Sequence, residues 1–349
     1  MLYQYVYDLL AHAASTQKPS ESVNVNDVIK TTVTVLTLTG AVLAGIYAYR
    51  KQLLSEGDAH RADASQLADR YTTAAEQLGH DQAAVRLAGV YALARLADDW
   101  EEQRQVCIDV LCAYLRMPYE SDPSAPGHKA GERQVRHTII RVIRDHLRVP
   151  DAPTSWCACD FDFTGAEFDG GDLSDSTFCS TVDFTGATFS GGEVDFGGAT
   201  FSSGEVSFRG ATFTAGEVFF GGATFSSGGV SFVGATFSNG RVSFTGATFS
   251  GGRVSFRGAT FSGGEADFGS ATFSNAGISF LRAMFSGGEV SFSGATFSSG
   301  EVSFRGATFT GGRVYFGGAT FSSGVPLFDG ATFTGTHVAW GNLTRPAGA

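Results

Sequence analysis

Thirteen pairs of phenylalanines keep one register from Phe184 and Phe189 to Phe328 and Phe333, five residues apart within a pair and seven between pairs. A period of 12 held without a break is the signature of a stacked repeat, in which each unit buries its apolar face only against its neighbours. Two positions before each Phe stands a small or β-branched residue: Ala187 before Phe189, Val194 before Phe196, Ala199 before Phe201. In an extended segment residues two apart share a face, so these pairs point inward and the Thr or Ser between them points out. Glycine-rich corners such as Ser190-Gly191-Gly192 then turn the chain, because Gly alone takes positive φ freely. The pattern is that of a β-solenoid with a phenylalanine interior.

A longer period lies inside the shorter one. The residue before the first Phe of each pair is Ser207, Ser231, Ser255, Ser279 and Ser303 in one series, and Asp195, Phe219, Ser243, Asp267 and Tyr315 in the other. The residue after it alternates in step, giving Arg209, Val233, Arg257, Leu281 and Arg305 against Gly197, Gly221, Thr245, Gly269 and Gly317. Residues 24 apart therefore share a face and residues 12 apart lie on opposite faces. With coils ~4.8 Å apart, about seven of them make a rod of roughly 35 Å. The opening stretch differs, with Phe163, Phe168, Leu173 and Phe178 spaced evenly by five. Pro326 and Trp340 are placed to end the stack, since Pro removes a ladder donor.

The motif ATF-S-G-G-E-V-S-F-R-G resembles the pentapeptide-repeat family, in the variant where alternate repeats carry two extra residues, over about Asp160 to Trp340. The resemblance implies a right-handed, four-sided parallel β-helix with four repeats per coil, hence 20 residues in the first coil and 24 in later ones.

Composition divides the chain sharply. All 31 Phe lie between Phe161 and Phe333. Ahead of them the sequence reads as a short segment over 1–27, a transmembrane helix over 28–50 and an α-helical domain over 51–150, with the solenoid over 151–340 and a tail over 341–349. The uncharged run TTVTVLTLTGAVLAGIYAY, Thr31 to Tyr49, approaches the ~20 residues a helix needs to cross a bilayer. It starts too deep in the chain for a cleaved signal and is followed by Arg50 and Lys51, so it reads as a single-pass anchor. Arg50, Lys51 and Arg61 after the span against Lys18 and Lys30 before it place the C-terminal domains in the cytoplasm, at the cell membrane. Gly40 with Ala44, or Ala41 with Gly45, offers a small-residue face for a homodimer.

Four helices are expected between Asp58 and Arg148, the second capped by Asp81 and the third stopped by Pro118. The fourth has an apolar side of Val135, Ile139, Val142, Ile143 and Leu147, while Arg133, His137, Arg141, Arg144 and Arg148 cover an arc of ~80°. The first coil is acidic: Asp160, Asp162, Glu167, Asp169, Asp172, Asp175 and Asp183. Arg133, Arg141, Arg144 and Arg148 are therefore expected to meet that acid, so that the helical domain caps the solenoid.

A net charge of −11 argues against direct nucleic-acid binding, which needs a positive field. The five cysteines fit free thiols in a reducing compartment; Cys157, Cys159, Cys179 and His146 match no common zinc spacing and are expected to be core or cap residues. No catalytic constellation, cofactor motif or metal site emerges, because the serines have no neighbouring His and the glycines no following helix and Lys. The chain is expected to be a non-enzymatic scaffold that presents its solenoid to an unidentified protein partner. Its candidate interaction surface is Arg209, Arg257 and Arg305 on one side and Phe219 and Tyr315 on the opposite one. The alternative implied by the family resemblance is a DNA-mimicking protein that binds a type II topoisomerase.

Overall fold

A computed structural model describes residues 4–5, 7–9, 11–12, 25–226, 228–274, 277–322 and 324–346, without the side chains of 25, 27–28 and 55–63. Lys18 and the side chain of Arg61 thus lie outside what is described. The chain forms two compact units, Met1–Ala68 and Asp69–Ala349.

The first unit is dominated by helix α1, Val25–Leu78, whose 54 residues run on past the unit's boundary. The sequence suggested a membrane helix followed by a separate first helix of the α-helical domain; the two are one. No proline interrupts the stretch, and three glycines are too few to break it against the Ala, Leu and Gln around them. Within α1, Ile29–Leu54 is long and apolar enough to cross a membrane, with mean hydropathy 1.6. Thr34, Thr37 and Thr39 donate their hydroxyls to the carbonyls of Lys30, Val33 and Val35 at 2.7–2.8 Å. These threonines therefore satisfy themselves inside the helix and add less polarity than their composition suggests.

In the second unit, α2 (Ala83–Asp99), a 3₁₀ turn (Glu101–Gln103), α3 (Arg104–Arg116) and α4 (Glu132–Leu147) pack through Val90, Leu93, Leu96, Ile108, Leu111, Val135, Ile139 and Ile143. α2 lies close against the end of α1, since a Cβ on Gly89 would meet the backbone nitrogen of Leu78 at 2.5 Å. The residue preceding α2 is Gln82, not Asp81. The Gln82 amide donates to His80 Nδ1 at 3.0 Å, and the Asp81 carbonyl accepts from Arg86 at 2.6 Å. α3 stops ahead of Pro118, as Pro disfavours helix in the residue before it.

From Phe161 the chain winds into four parallel sheets of seven, eight, eight and seven strands. The first side holds strands from Phe161–Asp162 to Val302–Ser303, the second Glu167–Phe168 to Thr332–Phe333, the third Gly171–Asp172 to His337–Ala339, the fourth Thr177–Phe178 to Thr320–Phe321. Register is 24 residues from the second coil on, as in Val206 with Val230 and Phe219 with Ser243. The opening coil departs from the expected 20. Phe161 pairs Val182 and Phe168 pairs Phe189, an offset of 21, because Phe178 and Phe184 are six apart; Phe178 pairs Phe201 at 23 once the Ser190-Gly191-Gly192 corner has been added.

The interior is a set of ring columns. Phe184, Phe208, Phe232, Phe256, Phe280, Phe304 and Phe328 follow one another with centroids 4.7–5.0 Å apart and planes within 8°. That separation is the strand spacing itself, so the backbone ladder sets the stack and each ring meets its neighbour offset and parallel. Corner glycines are sterically required: Gly216 has φ +76°, and a Cβ there would collide with the Gly192 carbonyl of the previous coil.

Candidate functional site: the capped end and the two unlike sides

Helix α4 lies across the start of the solenoid. Arg133 Nε donates to Asp169 at 2.8 Å and its second nitrogen to the Asp169 carbonyl at 3.1 Å. His137 lies 2.9 Å from the same carboxylate, and the Tyr119 hydroxyl donates to it at 2.7 Å. Burial pushes the Asp169 carboxyl up, but the hydrogen bonds from His137, Tyr119 and Arg133 outweigh it and hold the group well below the usual carboxylate range. Arg144 pairs with Asp172, Arg148 with Asp175 at 3.7 Å and, from α3, Arg116 with Asp162. Arg141 does not join them. Its guanidinium donates to the Tyr91 hydroxyl on α2 at 2.7 Å, within the helical domain.

The centre of this contact is a residue that the sequence left unmarked. Arg136 is 2% exposed and donates at 2.7 Å to both the Leu115 carbonyl, at the end of α3, and the Glu167 carbonyl of the first coil, with its guanidinium 4.6 Å from the Tyr119 ring centroid. The Leu115 carbonyl is one that a helix terminus leaves without a partner, and Glu167 belongs to a strand of the first coil. The only trace in the sequence is an arginine beside Val135 on an otherwise apolar face. Ile140 fills the remaining space over Gly171, where a Cβ would lie 2.8 Å from Ile140 Cδ1. Gln105 completes the seam through both the amide and the carbonyl of Asp160, each at 2.9 Å.

The cysteines correct the expectation of five free thiols. Cys157 and Cys179 form a disulfide with Cα atoms 4.9 Å apart, tying the linker to the first coil. Cys107 and Cys112 are fully buried among the helices, and burial pushes the Cys107 thiol up to about 11. Trp156, also buried, stacks on His146 at 4.0 Å. Among the described residues no group of His, Cys, Asp and Glu is arranged to hold a metal.

At the other end Pro326 takes the buried position of the first-side valines, 24 residues after Val302, and that side is reduced to one bridge between Ser303 and Leu327. Trp340 lies over the last rings, parallel to Phe316 at 6.0 Å and edge-on to Phe328 and Phe333 at 5.4 and 5.6 Å.

The sides of the rod are unlike. The second and fourth carry uncharged ladders, such as Thr188, Thr212 and Thr236, and Thr200, Thr224 and Thr248. The first and third carry the charge and the aromatics. On the third, Arg241 bridges Glu217 at 3.4 Å and Glu265 at 3.3 Å. Phe219 is half-buried, its ring against Gly197 and Gly221; Tyr315 is also half-buried, 6.5 Å from the His337 ring. On the first side Arg209, Arg257 and Arg305 are exposed, two coils apart. Arg305 is engaged by Asp329 at 3.1 Å and Glu301 at 3.6 Å, whereas Arg209 and Arg257 have no ion pair among the described residues.

A four-sided parallel β-solenoid with this spacing defines a class of repeat protein. Residues 163–212 match the family model described as pentapeptide repeats (9 copies), and the solenoid of this chain is a pentapeptide-repeat domain preceded by a helical region. No curated protein and no solved structure matches the chain.

Proposed function

We propose that this protein is a non-enzymatic scaffold, anchored in the cell membrane by the Ile29–Leu54 part of α1, whose solenoid presents the first and third sides to a protein partner. The observation that carries the reading is the contrast just described: an invariant phenylalanine interior beneath two sides whose outward residues change from coil to coil. Packing explains the interior and leaves the variation of the sides unexplained; recognition of a partner accounts for it. Membrane anchoring is supported by exposed Val33, Leu36, Leu38, Val42, Leu43 and Ile46 on a helix with no buried residue in its apolar window.

Arg50 and Lys51 argue for a cytoplasmic solenoid. The Cys157–Cys179 disulfide pulls the other way, because such bonds persist in oxidising compartments. On the proposed topology, protease added outside intact cells spares the solenoid; cleavage from outside would reverse the orientation. The DNA-mimic reading needs a long, free acidic surface. It draws little from a first coil whose Asp162, Asp169, Asp172 and Asp175 are engaged by arginines of the helical domain.

Carbonate-washed membranes should retain the full-length protein. Crosslinking and pull-down from them, wild type against a variant with Arg209, Arg257 and Arg305 all changed to Ala, should lose at least one partner. Release of the protein by carbonate would remove the anchor. Identical partners would remove the first-side arginines from the account.

A further inference from the structure

One coil breaks the repeat rules in two places within three residues. At the turn that closes the first side, each other coil has glycine in the left-handed region: Gly186, Gly210, Gly234, Gly258, Gly306 and Gly330, with φ between +61° and +68°. Here the residue is Arg282, at φ +56°. An arginine pays a steric cost in that region that glycine does not, since its Cβ crowds the backbone. Two residues on, the threonine ladder of the second side is interrupted by Met284, which pairs with Thr260 and Thr308 and is 47% exposed. Leu281, next to Arg282, takes the apolar place that Val233 takes two coils earlier, between arginines of the flanking coils. Repetition makes the stabilising residues plain, so two departures toward a poorer residue in one coil need a reason other than folding.

The departures converge on one place. The Gly258 amide donates to the Leu281 carbonyl at 3.0 Å, which puts Arg257 beside Leu281, and a Cβ on Gly306 would lie 3.6 Å from Arg282 Cγ, so the Arg282 side chain runs toward the next coil. Arg257 and Arg282 have no ion pair among the described residues, and the only carboxylates ion-paired in this neighbourhood, Glu301 and Asp329, are both taken by Arg305. A protein of net charge −11 thus carries a small cationic patch with an exposed methionine and a leucine at its centre.

We propose that the corner formed by Arg257, Leu281, Arg282 and Met284 is the docking site for an acidic peptide segment of the partner that carries at least one large apolar side chain. Charge complementarity selects carboxylates for the two unpaired arginines, and the thioether of Met284 with Leu281 offers an adaptable apolar contact. A peptide fits better than an anionic lipid surface, because a bilayer pressed on this corner would also meet Glu301 and Asp329. This identification rests on the scaffold reading and narrows it.

The test uses the full-length protein in detergent and a fluorescein-labelled peptide in which four Glu flank two Leu, beside one with Ser in place of Leu. Arg282→Gly with Met284→Thr restores the sequence of the other coils, so its thermal midpoint should equal or exceed that of the wild type. The wild type is expected to bind the Glu/Leu peptide at least about tenfold more tightly than either the double variant or the Ser peptide. Equal binding to wild type and double variant would overturn the proposal, as would equal binding of the two peptides. Binding of phosphatidylserine vesicles without peptide binding would assign the corner to lipid instead. Failure of the scaffold reading is separate: a double variant that keeps every crosslinked partner overturns this site, whereas a wild type that captures none overturns the scaffold.

Discussion

The two ends of the solenoid solve one problem with different chemistry. A stack of parallel coils exposes a terminal layer of rings and unpaired backbone at each end. At the N-terminal end the layer is covered by α3 and α4 through directional groups: Arg136 on two carbonyls, and Asp169 held by Arg133, His137 and Tyr119. At the C-terminal end one indole lies on three rings and the first side tapers to a single bridge. Directional groups fix an orientation that hydrophobic cover does not, so the first coil is locked to the helical domain while the last coil is only shielded. The N-terminal end should be the stable one.

The largest effect is expected where that lock is buried. Arg136→Met keeps much of the side-chain volume but leaves the Leu115 and Glu167 carbonyls without their donor, at a cost of about 3 kcal/mol in urea unfolding of the full chain. At the opposite end Trp340→Ala removes a half-buried ring and should cost about 2 kcal/mol, with faster amide exchange confined to the last two coils. Exchange that spreads to the first coils would show that the two ends are coupled.

A smaller effect separates charge from packing at the capped end. Asp169 is depressed in the folded state, so its contribution is complete above the unfolded aspartate value near 3.9 and is lost as pH falls below it toward the folded value. The wild-type thermal midpoint should therefore fall between about pH 4 and pH 2 more steeply than that of Asp169→Asn, which is about 1 kcal/mol less stable at neutral pH. Parallel curves would mean that Asp169 does not anchor the cap. The smallest effect belongs to the third-side charge ladder: Arg241→Ala should change stability by no more than about 0.5 kcal/mol, since both its partners are solvent-exposed.

What the sequence discloses follows the same division. The period of 12, the 24-residue coil and the unlike sides are legible because a solenoid repeats its constraints, so one position is written many times. The acid of the first coil and the basic arc of α4 are legible as composition, and Arg133, Arg144 and Arg148 lie on that acid. Arg141 breaks the pattern, since a helical arc specifies direction and not distance; it donates to Tyr91 instead. Arg136 is written once, inside an apolar face, and nothing local distinguishes a buried arginine from a misplaced one. The 21-residue opening coil was open to counting, since the step from Phe178 to Phe184 is six and not five. The pairing of Cys157 with Cys179 was not, because it depends on how the linker folds back over that coil.

The helical domain acts as a specific cap on which the first coil depends. Amide hydrogen exchange of the full-length protein, wild type against Arg136→Met, tests it most directly. Protection should fall first in residues 161–178 and in α3 and α4 together, with the middle coils unchanged. Unchanged protection in the first coil, with loss confined to the helices, would contradict it.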